Sequence, residues 1–343
     1  MDNFKIKISS NSGTDKWIKQ FPNEKSLIWN NCKFTLDSCD NDYDWLVVID
    51  KTSTLQLNCP PENTIFVATE PSTISYYGQS FVSQFSYLIT NQNAKSLPHM
   101  NAIRTQPGNH WFYEKPYRKM AKEPPHKKTK LLSVIATHRS EKHTAHRKRY
   151  DFIKEIANDL PEADILFSRE NLAKDFYDIF ANRAKFVPNK YNMIDDYKYH
   201  LAIGNQAGDN ILTERISDSF LGYAIPISWG CTNLSHYFPE DSFIEIDIDK
   251  PNESIEKIKN IVKNRNDYER RLPAVIEARR RVMEEYNLIA MIAEIVNNHK
   301  EKETKMNKRE NIYSRRIMRI TNLTDLLGFV RFRLKNFLLD ISL

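Results

Sequence analysis

A polar segment followed by an acid and an arginine is the part of this 343-residue sequence best suited to binding a charged substrate. Asn205–Asn210 is predicted as a loop after an apolar strand, and Thr213, Glu214 and Arg215 then open a helix. A helix start at the carboxyl end of a parallel strand binds diphosphates, and Arg215 adds a permanent positive charge. Thr213 suits an N-cap, and the Glu214 carboxylate can accept hydrogen bonds from ribose hydroxyls. A plain capped helix with a surface ion pair fits the same residues, so both interpretations stay open.

A basic segment, 143–150 with the sequence HTAHRKRY, offers a second helix start with positive charge. It leads from a predicted strand into a predicted helix, which is again a geometry that binds phosphate. A solvated basic turn is the competing interpretation. His143 and His146 are three residues apart, but no carboxylate pattern accompanies them, and we expect both at the surface.

Glu70 is the candidate for a general base. It follows the apolar run Thr64–Ala68, which places its carboxylate at the carboxyl end of a predicted strand. Active sites of open α/β sheets lie at that edge, and Pro71 restrains the turn that follows. A carboxylate there can take the proton from an attacking hydroxyl. An exposed glutamate in a strand-ending turn fits the sequence equally well.

The sequence predicts no metal site. Asp247-Ile248-Asp249 has the D-x-D pattern of some metal sites, and strand alternation would place both acids on one face. Polar residues at the end of a strand explain the pattern better, because it follows Phe243-Ile244-Glu245-Ile246 late in the predicted second domain. The four cysteines include no C-x-x-C spacing, and we expect free thiols in a reducing compartment.

Alternating strands and helices must position these side chains. The predicted strands are Trp45–Ile49, Thr64–Ala68, Phe85–Ile89, Leu131–Ala136, Ala163–Phe167, Tyr199–Ile203 and Ala224–Ser228, and the predicted helices are Arg147–Leu160, Thr213–Tyr223 and 252–298. Such alternation indicates parallel sheets wrapped in helices. The polar, proline-bearing segment 114–130 is typical of a linker. We therefore predict an α/β fold with two Rossmann-like domains facing a cleft, residues 1–125 and 126–300, and a tail of residues 301–343.

The net charge of +6 is confined to residues 300–343, which are Lys300 and the tail. Residues 300–343 hold 11 basic and 5 acidic residues, and the remainder carries 39 of each sign. A neutral folded body argues against a nucleic-acid partner. The N-terminal residues lack the apolar core of a secretory signal, and no apolar run is long enough to span a membrane. We therefore expect a cytoplasmic protein.

The tail has the pattern of a basic amphipathic helix. Its apolar side chains recur at steps of three and four along one stripe, at Leu323, Leu326, Leu327, Val330, Leu334, Phe337, Leu338 and Ile341. Arg315, Arg316 and Arg319 precede the stripe. Such a helix can lie in the anionic surface on the inner face of a membrane. It can also dock on the protein's own core or on a second subunit.

The spacing from Tyr197 to Gly230 resembles that of the family 10 fucosyltransferases. That family carries a pattern near Y-K-F-x-L-x-F-E-N, then T-E-K, and ends in P-[IV]-x-x-G. This sequence has YKYHLAIGN at Tyr197–Asn205, TER at Thr213–Arg215 and IPISWG at Ile225–Gly230. Tyr237–Pro239 and Ser242–Ile244 are similar to the family's continuation. The resemblance implies a GT-B-like fold, with acceptor binding by residues 1–125 and donor binding by 126–300.

The resemblance also implies roles for single residues. Asn205 would contact the nucleotide, Glu214 the ribose, and Arg215 the diphosphate in the family's lysine position. A basic residue after the first strand of the donor domain reaches the phosphates in the family, and here we predict Arg147, with Arg149 as the alternative. Thr69-Glu70-Pro71-Ser72 is similar to the family's acidic turn in the acceptor domain, which supports Glu70 as the base.

Two departures lie near the expected nucleotide pocket. The family's F-E-N is Ile203-Gly204-Asn205 here, which removes an acid, and its aromatic residue before the Glu is Ile211. The predicted function is an inverting fucosyltransferase that moves L-fucose from GDP-fucose to an oligosaccharide or surface glycan, as in lipopolysaccharide or protein glycosylation, without a further cofactor. Another nucleotide sugar on the same fold, or a non-catalytic glycan-binding relative, is the alternative.

Overall fold

The structure is a computed structural model and describes residues 4–36, 39–136, 139, 141–170, 173–180, 183–299 and 311–341. The chain divides into two compact units. The first comprises Met1–His110, Pro116–Arg118 and Tyr286–Leu343, and the second comprises Trp111–Lys115 and Lys119–Glu285. The described ranges omit residues 300–310, which are the last residue of the predicted second domain and the first ten of the predicted tail.

The first unit is built on a seven-stranded sheet in the order β2-β3-β1-β4-β6-β7-β8. Its strands are β1 (Phe4–Ser9), β2 (Ile28–Trp29), β3 (Cys32–Thr35), β4 (Trp45–Ile49), β6 (Thr64–Ala68), β7 (Tyr87–Thr90) and β8 (Ala102–Arg104), and a separate antiparallel pair joins β5 (Leu55–Gln56) to β15 (Asn311–Ile312). Neighbouring strands of the large sheet are parallel except β2 and β3. The helices of this unit are α1 (Gln79–Val82), α8 (Leu288–Asn298), α9 (Arg315–Thr321) and α10 (Leu323–Ile341), and α2 (Tyr117–Met120) has residues in both units.

Alternation along the central strands gives this sheet two apolar faces. On one face, Val47 and Val67 pack with Trp17 and with α8. On the other face, Val48 and Phe66 pack with Phe81 and the rest of a second cluster. Continuous apolar runs are expected for parallel strands that are covered on both faces, and they keep the strand ends as the polar edge of the sheet.

The second unit contains a six-stranded, all-parallel sheet in the order β11-β10-β9-β12-β13-β14. The strands are β9 (Lys130–Ile135), β10 (Ala163–Phe167), β11 (Ala184–Phe186), β12 (Tyr197–Gly208), β13 (Ile225–Cys231) and β14 (Ile244–Glu245), and the helices are α3 (His146–Asp159), α4 (Ala173–Ile179), α5 (Glu214–Leu221), α6 (Pro251–Lys263) and α7 (Asp267–Glu284). The strands alternate with crossover helices, as the apolar pattern of the sequence predicts.

Most predicted elements are confirmed, but one predicted loop is wrong. The strands at Trp45–Ile49, Thr64–Ala68 and Ala163–Phe167 have the predicted bounds. The predicted loop from Asn205 is strand as far as Gly208, with a register shift after Ile203. Glycines on paired strands explain the difference: a Cβ on Gly230 would lie 2.9 Å from the backbone oxygen of Gln206. That close approach between chain-distant residues keeps the polar segment paired.

The predicted helical region 252–298 is three helices, α6, α7 and α8. The last of them, α8, packs in the core of the first unit, although the sequence places residues up to 300 in the second domain. An N-cap fixes its start, because the side-chain oxygen of Asn287 accepts hydrogen bonds from Ile289 N (3.1 Å) and from the Gln20 amide (3.1 Å). The functional division into acceptor, donor and tail domains stays a prediction.

Two helices, α9 and α10, form the described part of the tail. The buried Asp325 carboxylate accepts hydrogen bonds from Gln79 N (2.9 Å) and Ser80 N (2.9 Å) at the start of α1. Close packing of Gly328 on Tyr76 continues that contact. The predicted apolar stripe lies elsewhere on α10, with Leu323 69% and Phe337 60% exposed. In the described residues, no helix combines the length and apolar content needed to cross a membrane.

Candidate active site

The second unit concentrates charge at the start of α5, which follows the carboxyl end of β12. Thr213 occupies the N-cap position with extended backbone, as predicted, but its side chain makes no capping hydrogen bond. Its hydroxyl oxygen is buried without a hydrogen-bond partner in the described chain. Glu214 and Arg215 occupy the first turn and are half-buried. The helix start therefore presents both charges and unsatisfied polar groups, where the helix dipole attracts anions.

Arg149 joins this helix start from the neighbouring helix α3. It is 6% exposed, its Nη1 donates to the carbonyl of Ile203 (3.3 Å), and its Nε has no partner among the described residues. Burial, then the charge of Arg215, lowers the pKa of Arg149 to about 9, while Glu214 opposes that shift. A cation buried beside another cation needs an anion for compensation, which a diphosphate would supply.

Arg147 lies away from this cluster. Its side chain is 52% exposed, and its Nε donates to the carboxylate of Asp151 (2.9 Å) one turn later on α3. The helical period explains the contrast, because Arg149 shares a face with the buried Ile153 and Ile156 whereas Arg147 does not. The predicted phosphate contact of Arg147 stays a prediction, and the alternative, Arg149, is the arginine that the fold brings beside Glu214 and Arg215.

The prediction of a surface position is wrong for His146. This side chain is buried at the start of α3 and hydrogen-bonded to the Thr144 hydroxyl, while His143 is half-buried. Burial and the nearby Arg149 lower the pKa of His146 to about 4, so the imidazole is neutral. The docking of α3 explains the burial, since Ala145 N donates to the Asn205 carbonyl (2.8 Å) and draws the helix start against β12.

Three further polar residues on or near α5 were not predicted from the sequence. His200 on β12 is fully buried; its Nδ1 bonds with the Ser133 hydroxyl (2.7 Å), and its Nε2 has no partner among the described residues. Burial, reinforced by Arg215, lowers the pKa of His200 to about 3. Asp218, one turn after Glu214, is buried and accepts from Tyr113 N (3.1 Å), and burial raises its pKa to about 8. Burial lowers the pKa of Lys190, and the charge of Asp218 opposes this shift.

Asn205 and the two family departures lie along the same strand and its exit. Asn205 is half-buried. Gly204 is tightly packed, because a Cβ there would lie 3.3 Å from the backbone oxygens of Gln206 and Trp229. Ile211 is buried, which gives it a core position just before α5. The family's acid at position 204 would therefore need the backbone of β12 or β13 to shift.

The first unit fixes Glu70 in a turn at the carboxyl end of β6. Glu70 is half-buried; its backbone N–H donates to the Tyr77 hydroxyl (3.1 Å), and its carbonyl accepts from the Gln92 amide (2.9 Å). Both backbone groups are thus held by side chains from later in the chain. The structure bears out the strand-end position predicted for this residue, while its role as a base stays a prediction.

Asp50 is the anchor of that turn and was not singled out from the sequence. Its carboxylate accepts hydrogen bonds from Thr69 N (2.8 Å), the Thr69 hydroxyl (2.6 Å) and the buried Tyr77 hydroxyl (2.5 Å). Its backbone is left-handed, with φ of 57°. Burial and the neighbouring Asp50 raise the pKa of Tyr77 well above its usual range, which keeps the hydroxyl a donor. The sequence offers a signal for Asp50, because it directly follows the apolar strand β4, much as Glu70 lies two residues after β6.

The D-x-D sequence forms a turn ahead of α6. Asp249 pairs with Lys148 (2.6 Å), and Asp247 accepts from Asp249 N (3.0 Å). Over the described ranges, no group of three or more histidine, cysteine or carboxylate side chains could hold a metal ion.

Comparison with known proteins identifies the family. A family model described as "Glycosyltransferase family 10 (fucosyltransferase) C-term" matches residues 125–311, more than half of the chain. The chain belongs to glycosyltransferase family 10. The predicted family is thereby confirmed, and the matched region includes the helix start with Arg149, Glu214 and Arg215.

Two individual relatives match different shares of the chain. Alpha-(1,3)-fucosyltransferase FucT of Helicobacter pylori is 32% identical over 83 residues, which are 24% of this chain and 17% of that relative's length. A solved alpha1,3-fucosyltransferase with GDP-fucose is similar over 90% of this chain and 93% of its own, with 16% identity and a TM-score of 0.52. That likeness concerns the fold, and the predicted α/β, GT-B-like class is confirmed.

Proposed function

We propose that this protein is an inverting fucosyltransferase that moves L-fucose from GDP-fucose to a hydroxyl of an oligosaccharide or surface glycan. The observation that carries the proposal is the start of α5, where Arg149 and Arg215 lie within electrostatic reach of each other. Buried polar atoms of Thr213, Arg149 and His200 also lack partners in the described chain. Unsatisfied polar atoms beside two neighbouring cations suit a diphosphate ligand, because it accepts hydrogen bonds and neutralises charge.

The proposed chemistry divides between two groups of residues. The Glu70 carboxylate takes the proton of the acceptor hydroxyl as that oxygen attacks the anomeric carbon of the sugar. Arg149 and Arg215 stabilise the negative charge that develops on the departing diphosphate. Glu214 accepts hydrogen bonds from the ribose hydroxyls, and Asn205 contacts the nucleotide. Attack from the face opposite the leaving group inverts the anomeric configuration.

A second nucleotide sugar is a specific alternative because of Gly204 and Ile211. At 204 a side chain would crowd the backbone, and at 211 the aliphatic side chain is buried, so neither position offers the family's acid or aromatic ring. A thermal-shift comparison of GDP-, UDP-, CMP- and dTDP-sugars separates the two. We expect GDP and GDP-fucose to stabilise the protein by about 2.7 kcal/mol at 100 times the dissociation constant. Stabilisation only by another nucleotide would exclude fucose transfer, and stabilisation by none would favour a non-catalytic glycan binder.

We further propose that the apolar stripe of α10 lies in an anionic membrane surface. Leu334 and Phe337 are exposed on the stripe, and Arg331, Arg333 and Lys335 lie nearby on the helix. Apolar side chains flanked by cations suit the interface of an anionic bilayer.

Sedimentation with phosphatidylglycerol vesicles tests the membrane proposal. We expect the full chain to pellet and the variant Leu334→Gln/Phe337→Gln to remain in the supernatant. These side chains are exposed, so the substitutions keep the buried Asp325 contact that a truncation near residue 300 would remove. Equal pelleting of both proteins would contradict membrane binding by the stripe.

A further inference from the structure

A basic pocket in the first unit has no role in the chemistry described above. Its volume is about 380 Å³, within the usual range for ligand pockets. Lys51, Arg315, Arg316 and Arg319 line it, together with hydroxyl and amide side chains such as Thr54 and Asn11. The lining therefore offers donors and positive charge, which is the chemistry that recognises a carboxylate, sulfate or phosphate group.

The positive charge of this pocket is only partly offset by the protein, through the attraction between Asp325 and Arg319. In the part of the chain that the structure describes, none of the four cations forms an ion pair with a carboxylate. The nearest acid on α10, Asp325, is engaged by the backbone of α1. Partial burial, then repulsion from Arg315, lowers the pKa of Arg319. Guanidinium groups that lie close together despite this repulsion are suited to a planar or tetrahedral anion, which they can bind through paired hydrogen bonds.

Secondary structure builds the pocket at the polar edge of the first sheet. Asn11 follows β1 and Lys51 follows β4, so one wall is formed by the carboxyl ends of adjacent parallel strands. The other wall is the start of α9, fixed by the hydrogen bond from Ser314 N to the Thr54 hydroxyl (3.0 Å) and by the β5–β15 pair. Ligands of open α/β sheets bind at this edge.

A single residue, Tyr77, links the pocket to the Glu70 turn. The Arg315 guanidinium lies 5.3 Å from the centre of the Tyr77 ring and donates to the Ser75 hydroxyl (3.1 Å). The hydroxyl of the same tyrosine accepts from Glu70 N. An anion in the pocket would therefore lie close to the proposed base, on the unit predicted to bind the acceptor.

We propose that this pocket binds a carboxylate, sulfate or phosphate group carried by the acceptor glycan. The proposal rests on the proposed transferase function and specifies its acceptor as acidic. A phospholipid headgroup has similar chemistry, but the contact with the Glu70 turn favours a glycan substrate. Binding through exposed and half-buried arginines should weaken as salt rises.

Glycan binding by the full chain tests this proposal. The array carries matched pairs, each a neutral oligosaccharide beside its sulfated or sialylated form. We expect about tenfold stronger retention of the acidic member of at least one pair, lost in Arg315→Gln/Arg319→Gln. Arg316 is an exposed pocket residue without a hydrogen bond or ion pair among the described residues, so Arg316→Gln should reduce retention without a cost in folding. Lys95→Gln/Arg118→Gln removes the same charge from exposed sites of the first unit and should leave retention unchanged.

Two parallel measurements on the same samples separate the ways this proposal can fail. Equal retention within every pair, including no retention, overturns the acidic acceptor, whereas a missing thermal shift with GDP overturns the transferase function. With GDP binding intact, only the pocket assignment falls. If the double arginine variant loses phosphatidylglycerol vesicle binding and pairs are never discriminated, the pocket is a lipid site and the proposal is wrong.

Discussion

The Glu70 turn and the start of α5 both follow the carboxyl ends of parallel strands, yet their polar groups are satisfied in opposite ways. In the turn, Asp50 receives three hydrogen bonds, and both backbone groups of Glu70 have side-chain partners. At α5, buried polar atoms of Thr213, Arg149 and His200 have no partner in the described chain.

The difference teaches what each region must do. A base works by geometry, so the turn that holds it gains from internal hydrogen bonds that fix its position before substrate arrives. An anion site gains from donors that the protein leaves unsatisfied, because the ligand then completes them. The turn is not fully satisfied, since Asn91 Oδ1 nearby lacks a partner among the described residues. The contrast nevertheless distinguishes the Glu70 turn, which fixes the position of one group, from the start of α5, which is suited to binding an anion.

The largest expected effect is that of Glu70→Gln. The amide keeps the size of the side chain but cannot accept the proton, so transfer to the acceptor should fall by about 10²–10⁴-fold. GDP release in the presence of an oligosaccharide pool measures transfer, and thermal shift with GDP measures donor binding, which should be unchanged. Glu24→Gln, at an exposed carboxylate of the same unit, is the matched control. Loss of donor binding in Glu70→Gln would show that Glu70 is not the base.

The next largest effect should distinguish Arg149 from Arg147. Arg149→Gln removes a buried cation beside Arg215, and we expect kcat to fall by about 10²-fold with weaker GDP binding. Arg147→Gln breaks an exposed ion pair with Asp151, which is worth about 0.3–0.5 kcal/mol, and a contact with the Tyr150 ring. Steady-state kinetics and GDP titration on both variants decide. A larger loss for Arg147→Gln would restore the role predicted from the sequence.

The sequence indicates the central strands, because short apolar runs rich in β-branched residues, such as Trp45–Ile49, favour buried strands, but it does not yield others such as Phe4–Ser9. It also places Glu70 and Glu214 at strand and helix ends. The basic segment by itself does not show which arginine of α3 faces inward. The signal is the helical spacing, because Arg149 lies four and seven residues before the buried Ile153 and Ile156. The extension of β12 to Gly208 depends on Gly230, a residue distant in the chain, so local pattern misses it.

A smaller effect is expected from loosening the Glu70 turn. Asp50→Ala removes all three acceptor contacts and places an alanine at φ of 57°, so kcat should fall on the order of tenfold through misplacement of Glu70. KM for the donor should be unchanged. Asp50→Asn retains an acceptor and tolerates left-handed backbone, and it should restore most of kcat. Kinetics of the two variants measure this, and an equal loss in both would indicate that Asp50 acts through its charge.

The smallest effect concerns acid stability and is predicted for two buried histidines of the second unit. The folded-state pKa values of His146 (about 4) and His200 (about 3) lie below the unfolded value of about 6.5. The unfolded chain therefore binds more protons, and stability is fully present above pH 6.5 and lost as pH falls toward those values, by up to about 1.4 kcal/mol per unit for each histidine. His200→Asn can keep a hydrogen bond to Ser133 but does not titrate, so thermal midpoints at pH 7.5 and 5 should differ less than in the parent protein. An unchanged difference would mean that His200 binds protons equally in the folded and unfolded states, and the electrostatic stress at α5 would then rest on the arginines.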